Sequence, residues 1–445
     1  MTKKFLFSLL VIVPALLIVA ALNGLTPRYL ASAPGVASGI GAKLLCSAVH
    51  VSGFSEEQAF DDLVQYSPVL AWLRVDHDSS GQTVTTSLFG LRPATASHVP
   101  GIGCAIEYPG FDTRNSLQAR DLPVLASHWP HGNRVETIND DVQRQLETII
   151  ARDNEQGLNT RALLVVHQGR IVGEAYDQGV TPDTPLLGWS MAKSLTGIMI
   201  GNLELRGLLD IEESPGFPEW ADDDRLGIRV KDMLTMTDGL AFSELYDPGA
   251  DATAMLFTQP SAANYALNQS LIHAPGTHFN YSSGTANLLS RVYFEKTGGT
   301  LQAAYNDYIN NIVVPISFQH SVLEVDASGV FKGSSYFYAS ARDWARMGQL
   351  MLNEGVLNGR RIISRDWVAR STTSYGVDYG YQWWLNSGGE QLRWADLPVD
   401  AYAAQGNREQ LVMVIPSRDA VIVRLGWTDG RYPDNERFAE ILGNL

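Results

Sequence analysis

Between Asp140 and Arg152 the apolar positions Val142, Leu146, Ile149 and Ile150 recur at helical spacing and predict an amphipathic helix. Ala162 to Val166 and Arg170 to Tyr176 flank Gln168-Gly169 and predict the two strands of a hairpin. Leu195, Ile198, Met199 and Leu203 repeat with the same helical period inside an otherwise apolar run ending at Leu205, the pattern of a mostly buried helix. Residues 207–375 read as mainly helical with loops. Near the C-terminus, Tyr402 to Ala404, Gln410 to Ile415 and Ala420 to Leu425 read as strands, and Asn435 to Leu442 as a helix capped by Asp434 or Asn435. Strands at both ends with helices between them predict an α/β (α+β) fold. One antiparallel sheet, assembled from the two ends of the region, is flanked by helices and carries a mostly helical insert.

Upstream the pattern is looser. Gly41 to His50 and Glu56 to Tyr66 read as helices, and Trp72 to Asp76 pairs with Thr83 to Leu88 across Asp78-Ser79-Ser80-Gly81. Residues 24–40, rich in Gly, Ala, Ser and Pro, read as a linker, and residues 109–135 as an extended connector. Lys3 and Lys4 precede the uncharged apolar run Phe5 to Leu22, which reads as an N-terminal anchor, with a cleaved signal as the alternative; Val19-Ala20-Ala21 would then be the cleavage site. Three parts result: an anchor or signal segment over 1–24, a small region over 25–135, and a catalytic domain over 136–445.

Composition sharpens this in two ways. A net charge of -15 across 445 residues argues against nucleic acid as a partner and limits membrane contact to the N-terminal segment. The N-terminal segment sends the body out of the cytoplasm, which implies a periplasmic protein held at the inner membrane by residues 5–22. An oxidising compartment lets the only two cysteines, Cys46 and Cys104, pair.

The chemistry gathers at Gly188-Trp189-Ser190-Met191-Ala192-Lys193-Ser194. Ser190 and Lys193 stand three apart at the start of the buried helix, on one face and within side-chain reach. A serine hydroxyl needs a base to become a nucleophile, and a lysine in an apolar setting loses part of its preference for charge. The structural alternative makes Ser190 an N-cap and Lys193 a solvated first-turn residue, although a cation there opposes the helix dipole. Downstream, Tyr281-Ser282-Ser283 follows a Pro275-Gly276 turn and precedes a helix from Asn287 to Lys296; its tyrosine is a candidate proton shuttle. Lys296-Thr297-Gly298 imitates a catalytic triad of letters, but it ends that helix with Gly298 as the cap. At the turn between two C-terminal strands lies Ala404-Gln405-Gly406-Asn407-Arg408. Gly406 permits close approach, and the Asn407 N–H is the candidate to join that of Ser190 in an oxyanion hole. Arg408 either holds a substrate carboxylate or is simply solvated.

Taken together, Ser190-Met191-Ala192-Lys193, Tyr281-Ser282-Ser283 and Ala404-Gln405-Gly406 resemble the class C β-lactamase and DD-peptidase superfamily, over about residues 136–445. Val230 to Leu240 and Tyr379-Gly380-Tyr381-Gln382-Trp383-Trp384 support the likeness. The branch of 6-aminohexanoate-dimer hydrolase and related esterases is the most similar, through Phe242-Ser243-Glu244-Leu245-Tyr246. The resemblance implies a β-lactamase/penicillin-binding-protein-like fold and a cofactor-free serine hydrolase acting on a small amide or ester. In that scheme Ser190 is the acyl-enzyme nucleophile, Lys193 its base and Tyr281 the relay to the leaving group. Two positions depart from the superfamily pattern: Ser283 stands for an asparagine and Ala404 for a cationic residue, which favours an amide or ester hydrolase over a β-lactamase proper. Trp189, Ser283, Gln405, Gly406 and Arg408 are the substrate-binding candidates, with Tyr381, Trp383 and Trp384 lining the pocket or packing the core.

Rival readings are weaker. A G-x-S-x-G elbow needs a strand before the serine and a late histidine, yet Thr181 to Pro185 is a loop and His320 is the last histidine. A non-catalytic module with the same fold would not need Ser190 and Lys193 intact. His128 and His131 lack a third ligand at useful spacing, so no metal site is predicted.

Overall fold

The computed structural model describes residues 26–112, 117–136 and 138–445; the apolar run Phe5 to Leu22 lies outside them. The chain begins with an α/β module. Helix α1 (Pro27–His50) and helix α2 (Glu56–Val64) precede a meander of strands β1 (Leu73–Asp78), β2 (Thr83–Leu88), β3 (Leu91–Val99) and β4 (Gly103–Ile106). The first hairpin of this meander follows the expected pairing, and the pairing of β3 with β4 was not expected.

Within the described residues, the linker expected over 24–40 is not observed. Residues 27–40 are the first half of α1, capped by the Thr26 hydroxyl, which accepts from the Tyr29 N–H. The small residues that suggested a linker instead let the helix approach its neighbours closely. A Cβ on Gly39 would stand 2.2 Å from the Phe257 carbonyl oxygen, and one on Gly41 2.7 Å from the Leu73 side chain. Ser38 donates to the Pro34 carbonyl at 2.8 Å and accepts from the Leu88 N–H at 3.2 Å, tying helix to sheet. Cys46 in α1 is bonded to Cys104 in β4.

The region from residue 138 onward is organised by a six-stranded antiparallel sheet. Helix α3 (Asp140–Glu155) leads into β5 (Thr160–His167) and β6 (Arg170–Tyr176), whose two-residue turn has φ of 49° at Gln168 and 72° at Gly169, as a hairpin twist demands. A 3-10 turn over Trp189–Met191 then opens helix α4 (Ala192–Leu205), and helices α5 (Ser283–Lys296) and α6 (Ala341–Leu352) follow. Strands β7 (Trp384–Leu385), β8 (Tyr402–Gly406), β9 (Gln410–Ile415) and β10 (Ala420–Gly426) precede the closing helix α7 (Asp434–Leu442). The strand order is β7-β8-β9-β10-β5-β6, so β10 pairs with β5 across the whole length of the region, Ile422 opposite Val165. A separate small sheet was not anticipated: Phe337–Ala339 and Ser321–Leu323, both within the region expected to be mainly helical, pair with Leu186–Leu187 upstream of it.

Alternation along the strands builds two cores. Leu163, Val165, Met413 and Ile422 face α3 and α7, while Leu164, Val166, Val412 and Val421 face the layer that holds α4 and α6. α4 is buried on nearly every side; a Cβ on Gly201 would stand 2.5 Å from the Trp367 ring. α7 starts one residue earlier than read, and neither Asp434 nor Asn435 caps it: Pro433 occupies the cap position and Asp434 accepts from the Trp394 indole at 2.7 Å. α5 begins at Ser283, not Asn287, capped by the Ser282 hydroxyl, and Lys296-Thr297-Gly298 does end it, with Gly298 at φ 117°.

Candidate active site

Ser190 sits in the 3-10 turn that feeds the N-terminus of α4, after Trp189 in a left-handed conformation (φ 48°). Lys193, on the first turn of α4, is 1 % exposed. Its Nζ lies 3.0 Å from Ser190 Oγ, 3.0 Å from Ser283 Oγ and 3.1 Å from the Ser334 carbonyl oxygen, and it faces the Tyr281 ring 4.7 Å from the centroid. All three hydrogen-bond partners are neutral. The amine donates to all three, which puts Ser190 Oγ within direct proton-transfer reach of Nζ.

Ser283, read as a substrate contact, is fully buried and does something else. Its Oγ donates to Glu244 Oε1 at 2.5 Å and its N–H to Oε2 at 2.7 Å, so the hydroxyl bridges the Lys193 amine to a carboxylate. The Tyr246 hydroxyl also approaches Glu244, at 3.3 Å. In the sequence, Glu244 is only one letter of the resembling stretch Phe242 to Tyr246. Nothing in its local sequence reveals its role, because it reaches the site from a loop 39 residues before Ser283.

Tyr281 stands half-buried on the turn before α5, stacked on Trp384 at 5.3 Å and edge-on to Tyr379 at 5.9 Å. Behind it, Thr285 on the first turn of α5 donates to Asp238 at 2.6 Å, whose carboxyl burial pushes up to about 6. β8 crosses the serine turn at Gly406, where a Cβ would meet the Gly188 carbonyl oxygen at 2.0 Å and the Ser190 nitrogen at 3.2 Å. Only glycine fits there, and the crossing brings the residue before Asn407 against the Ser190 turn. Gln405 accepts from Arg393 at 2.8 Å; Arg393 in turn pairs with Asp378 and lies over the Trp384 ring, a cation on the rim that the sequence reading missed.

Trp189 and Arg408 need correction as substrate contacts, and the open alternative for Tyr381 and Trp383 resolves to core packing. Trp189 is 1 % exposed and packs among Tyr66, Tyr336 and Trp427, so it offers no surface to a ligand. Tyr381 and Trp383 are likewise core residues, which leaves Trp384 as the ring that lines the site. Arg408 is 7 % exposed; its guanidinium lies over Tyr66 and donates to the Gln65 carbonyl at 2.8 Å and to Asp429 at 3.1 Å, leaving it neither solvated nor free to take a carboxylate.

Comparison with known proteins places this geometry. The beta-lactamase family model matches residues 142–441. The 6-aminohexanoate-dimer hydrolase of Paenarthrobacter ureafaciens is 28 % identical over 308 residues, covering 62 % of this chain and 76 % of that protein. Among solved structures, a family VIII carboxylesterase superposes with a TM-score of 0.53 at 15 % identity, covering 70 % of this chain and 100 % of its own. A class C beta-lactamase does so at 0.51 and 15 %, covering 68 % and 96 %.

Proposed function

Given that the chain belongs to the beta-lactamase family, a family of hydrolases, we propose that it is a serine hydrolase that opens an amide or ester bond through an acyl-enzyme on Ser190. The observation that carries the reading is the Lys193 amine, buried, with neutral partners only, 3.0 Å from Ser190 Oγ. Lys193 takes the Ser190 proton as Oγ bonds to the substrate carbonyl carbon. The oxyanion that forms accepts from the N–H groups of Ser190 and Asn407 at the N-terminal end of α4, where the helix dipole favours negative charge. The proton then passes by way of Tyr281 to the departing nitrogen or oxygen as its bond to carbon breaks. Water enters, gives its proton to the same groups, and releases the acid and free Ser190.

Ala404 on β8 supports an amide or ester substrate over a β-lactam, because the strand beside the nucleophile carries no cation at that position. The likeness to a 6-aminohexanoate-dimer hydrolase points the same way. The run Phe5 to Leu22 supports an exported, membrane-held enzyme, which carbonate extraction of the full-length protein tests.

A fluorophosphonate probe followed by intact-mass measurement tests the mechanism. One adduct is expected on the wild type and none on Ser190→Ala. An unlabelled wild type that also leaves p-nitrophenyl esters and linear amide oligomers intact would favour a binding module with the fold of an enzyme.

A further inference from the structure

The N-terminal module lies outside the family match, which begins at residue 142, yet it touches both halves of the site. Tyr66, just past α2, accepts a hydrogen bond from Asn407 Nδ2. Its ring lies 5.6 Å from Trp189, the residue before the nucleophile, 6.0 Å from Trp427, and under the Arg408 guanidinium at 4.5 Å. The turn it touches is an unusual one: Arg408 and Glu409, neither of them glycine, are left-handed at φ 59° and 63°. Such a turn persists only where its surroundings hold it. From the sheet side, Arg424 donates to the Arg408 and Glu409 carbonyls at 3.1 and 2.9 Å, and Gln410 donates to the Arg408 carbonyl at 3.0 Å. From the module side come Tyr66 and the Gln65 carbonyl, which accepts from Arg408 at 2.8 Å. The Asn407 carboxamide joins the two, since its Oδ1 accepts from the Arg408 N–H at 2.8 Å while its Nδ2 reaches Tyr66.

We infer that Tyr66 is a positioning residue for hydrolysis, its hydroxyl holding the Asn407 side chain so that the Asn407 and Ser190 N–H groups converge on one oxyanion. The inference rests on the Ser190 acyl-enzyme reading for its catalytic consequence, but the clamp itself is a matter of structure. Tyr66 does not touch the reacting atoms; it acts through Asn407. The module therefore completes the site of a domain that the family match alone would call whole.

Tyr66→Phe keeps the ring against Trp189 and Arg408 and removes only the hydroxyl, so the fold is retained and the melting temperature falls by no more than the loss of one hydrogen bond. The expected result is a fall of about tenfold in kcat on a p-nitrophenyl ester with KM within about twofold of the wild type, since a misplaced oxyanion donor costs the transition state and not the ground state. Labelling by the fluorophosphonate slows by the same factor. Asn407→Ala, which keeps the backbone N–H, gives a similar loss, and the double variant is no worse than either single one. Amide hydrogen exchange of the full chain across residues 406–410 is faster in Tyr66→Phe. Unchanged kcat in Tyr66→Phe, additive losses in the double variant, or unchanged exchange at 406–410 each overturn the proposal. Failure of the wild type to label would sink the nucleophile assignment instead, and the exchange measurement would still decide the clamp.

Discussion

At the scale of single residues, Lys193 is surrounded by groups that no local motif names. Its amine is held by one hydroxyl three positions before it and by two groups, Ser283 Oγ and the Ser334 carbonyl, that arrive from far along the chain. The Ser190–Lys193 pair was legible because a helical turn brings i and i+3 together whatever the rest of the fold does. Glu244 was not, because only tertiary structure brings a loop carboxylate to a serine 39 residues later. The same limit explains Arg408, whose charge suggested a ligand while its burial against Tyr66 belongs to packing. Two predictions belong here. Lys193→Met fills the same volume without the amine, so the fold survives while acylation, followed as p-nitrophenol release, falls by at least about 10³-fold. Ser283→Ala removes the link between Lys193 and Glu244 and leaves the half-buried Glu244 carboxylate one partner short. It is expected to slow acylation about 10- to 100-fold and to destabilise the fold by about 1–3 kcal/mol in urea unfolding.

At the scale of elements, the helix with one wet face was legible from its period, and the central strands, buried on both faces, from short apolar runs bounded by turns. The 3.6-residue repeat of α3 and the strands β5, β6, β8, β9 and β10 were each read within a few residues of their observed ends. α1 was half lost because its contact face is made of Gly35, Ala37, Ser38, Gly39, Gly41 and Ala42, residues that signal a linker by composition but serve close approach here. Gly39 tests this. A methyl group there meets a backbone carbonyl that cannot rotate away, so Gly39→Ala should destabilise the protein by about 1–3 kcal/mol, although alanine is the better helix former. A rise in melting temperature would show that α1 is not in contact with the 251–257 helix in solution. β3 carries a second test. Burial against the module and the neighbouring His50 ring, stacked at 5.5 Å, lower the His98 imidazole from 6.5 to about 4. The folded state therefore binds fewer protons than the unfolded chain between these values. Stability is complete above about pH 6.5 and falls as pH drops towards 4, by about 1–2 kcal/mol after allowing for the half-exposed ring. His98→Gln should flatten the stability profile across that interval, as read by urea midpoints from pH 7 to pH 4.

At the scale of the whole molecule, the module and the catalytic region share buried polar contacts that a loosely tethered appendage would not have. Lys43 of α1 and Glu324 form an ion pair with both side chains fully buried. Burial lowers the Lys43 amine even against the pull of Glu324. Glu324 also accepts from Ser47 at 2.8 Å and from the Cys104 N–H at 2.7 Å, so the catalytic region's carboxylate lies beside the Cys46–Cys104 bond. That bond joins residues 58 apart, and a crosslink of this span restricts the unfolded chain by about 4 kcal/mol. Its loss would be local if the module folded alone. Because Glu324 docks at the bond and Tyr66 docks at Asn407, the loss must instead be felt throughout. A Cys46→Ala/Cys104→Ala variant is thus expected to unfold in one transition at lower denaturant. Esterase rate, tryptophan fluorescence and far-ultraviolet dichroism would fall together, and dithiothreitol would have no further effect. If an early transition removed the module's signal while the esterase rate stayed at its native value, the module would be a passenger and the oxyanion turn would stand without it.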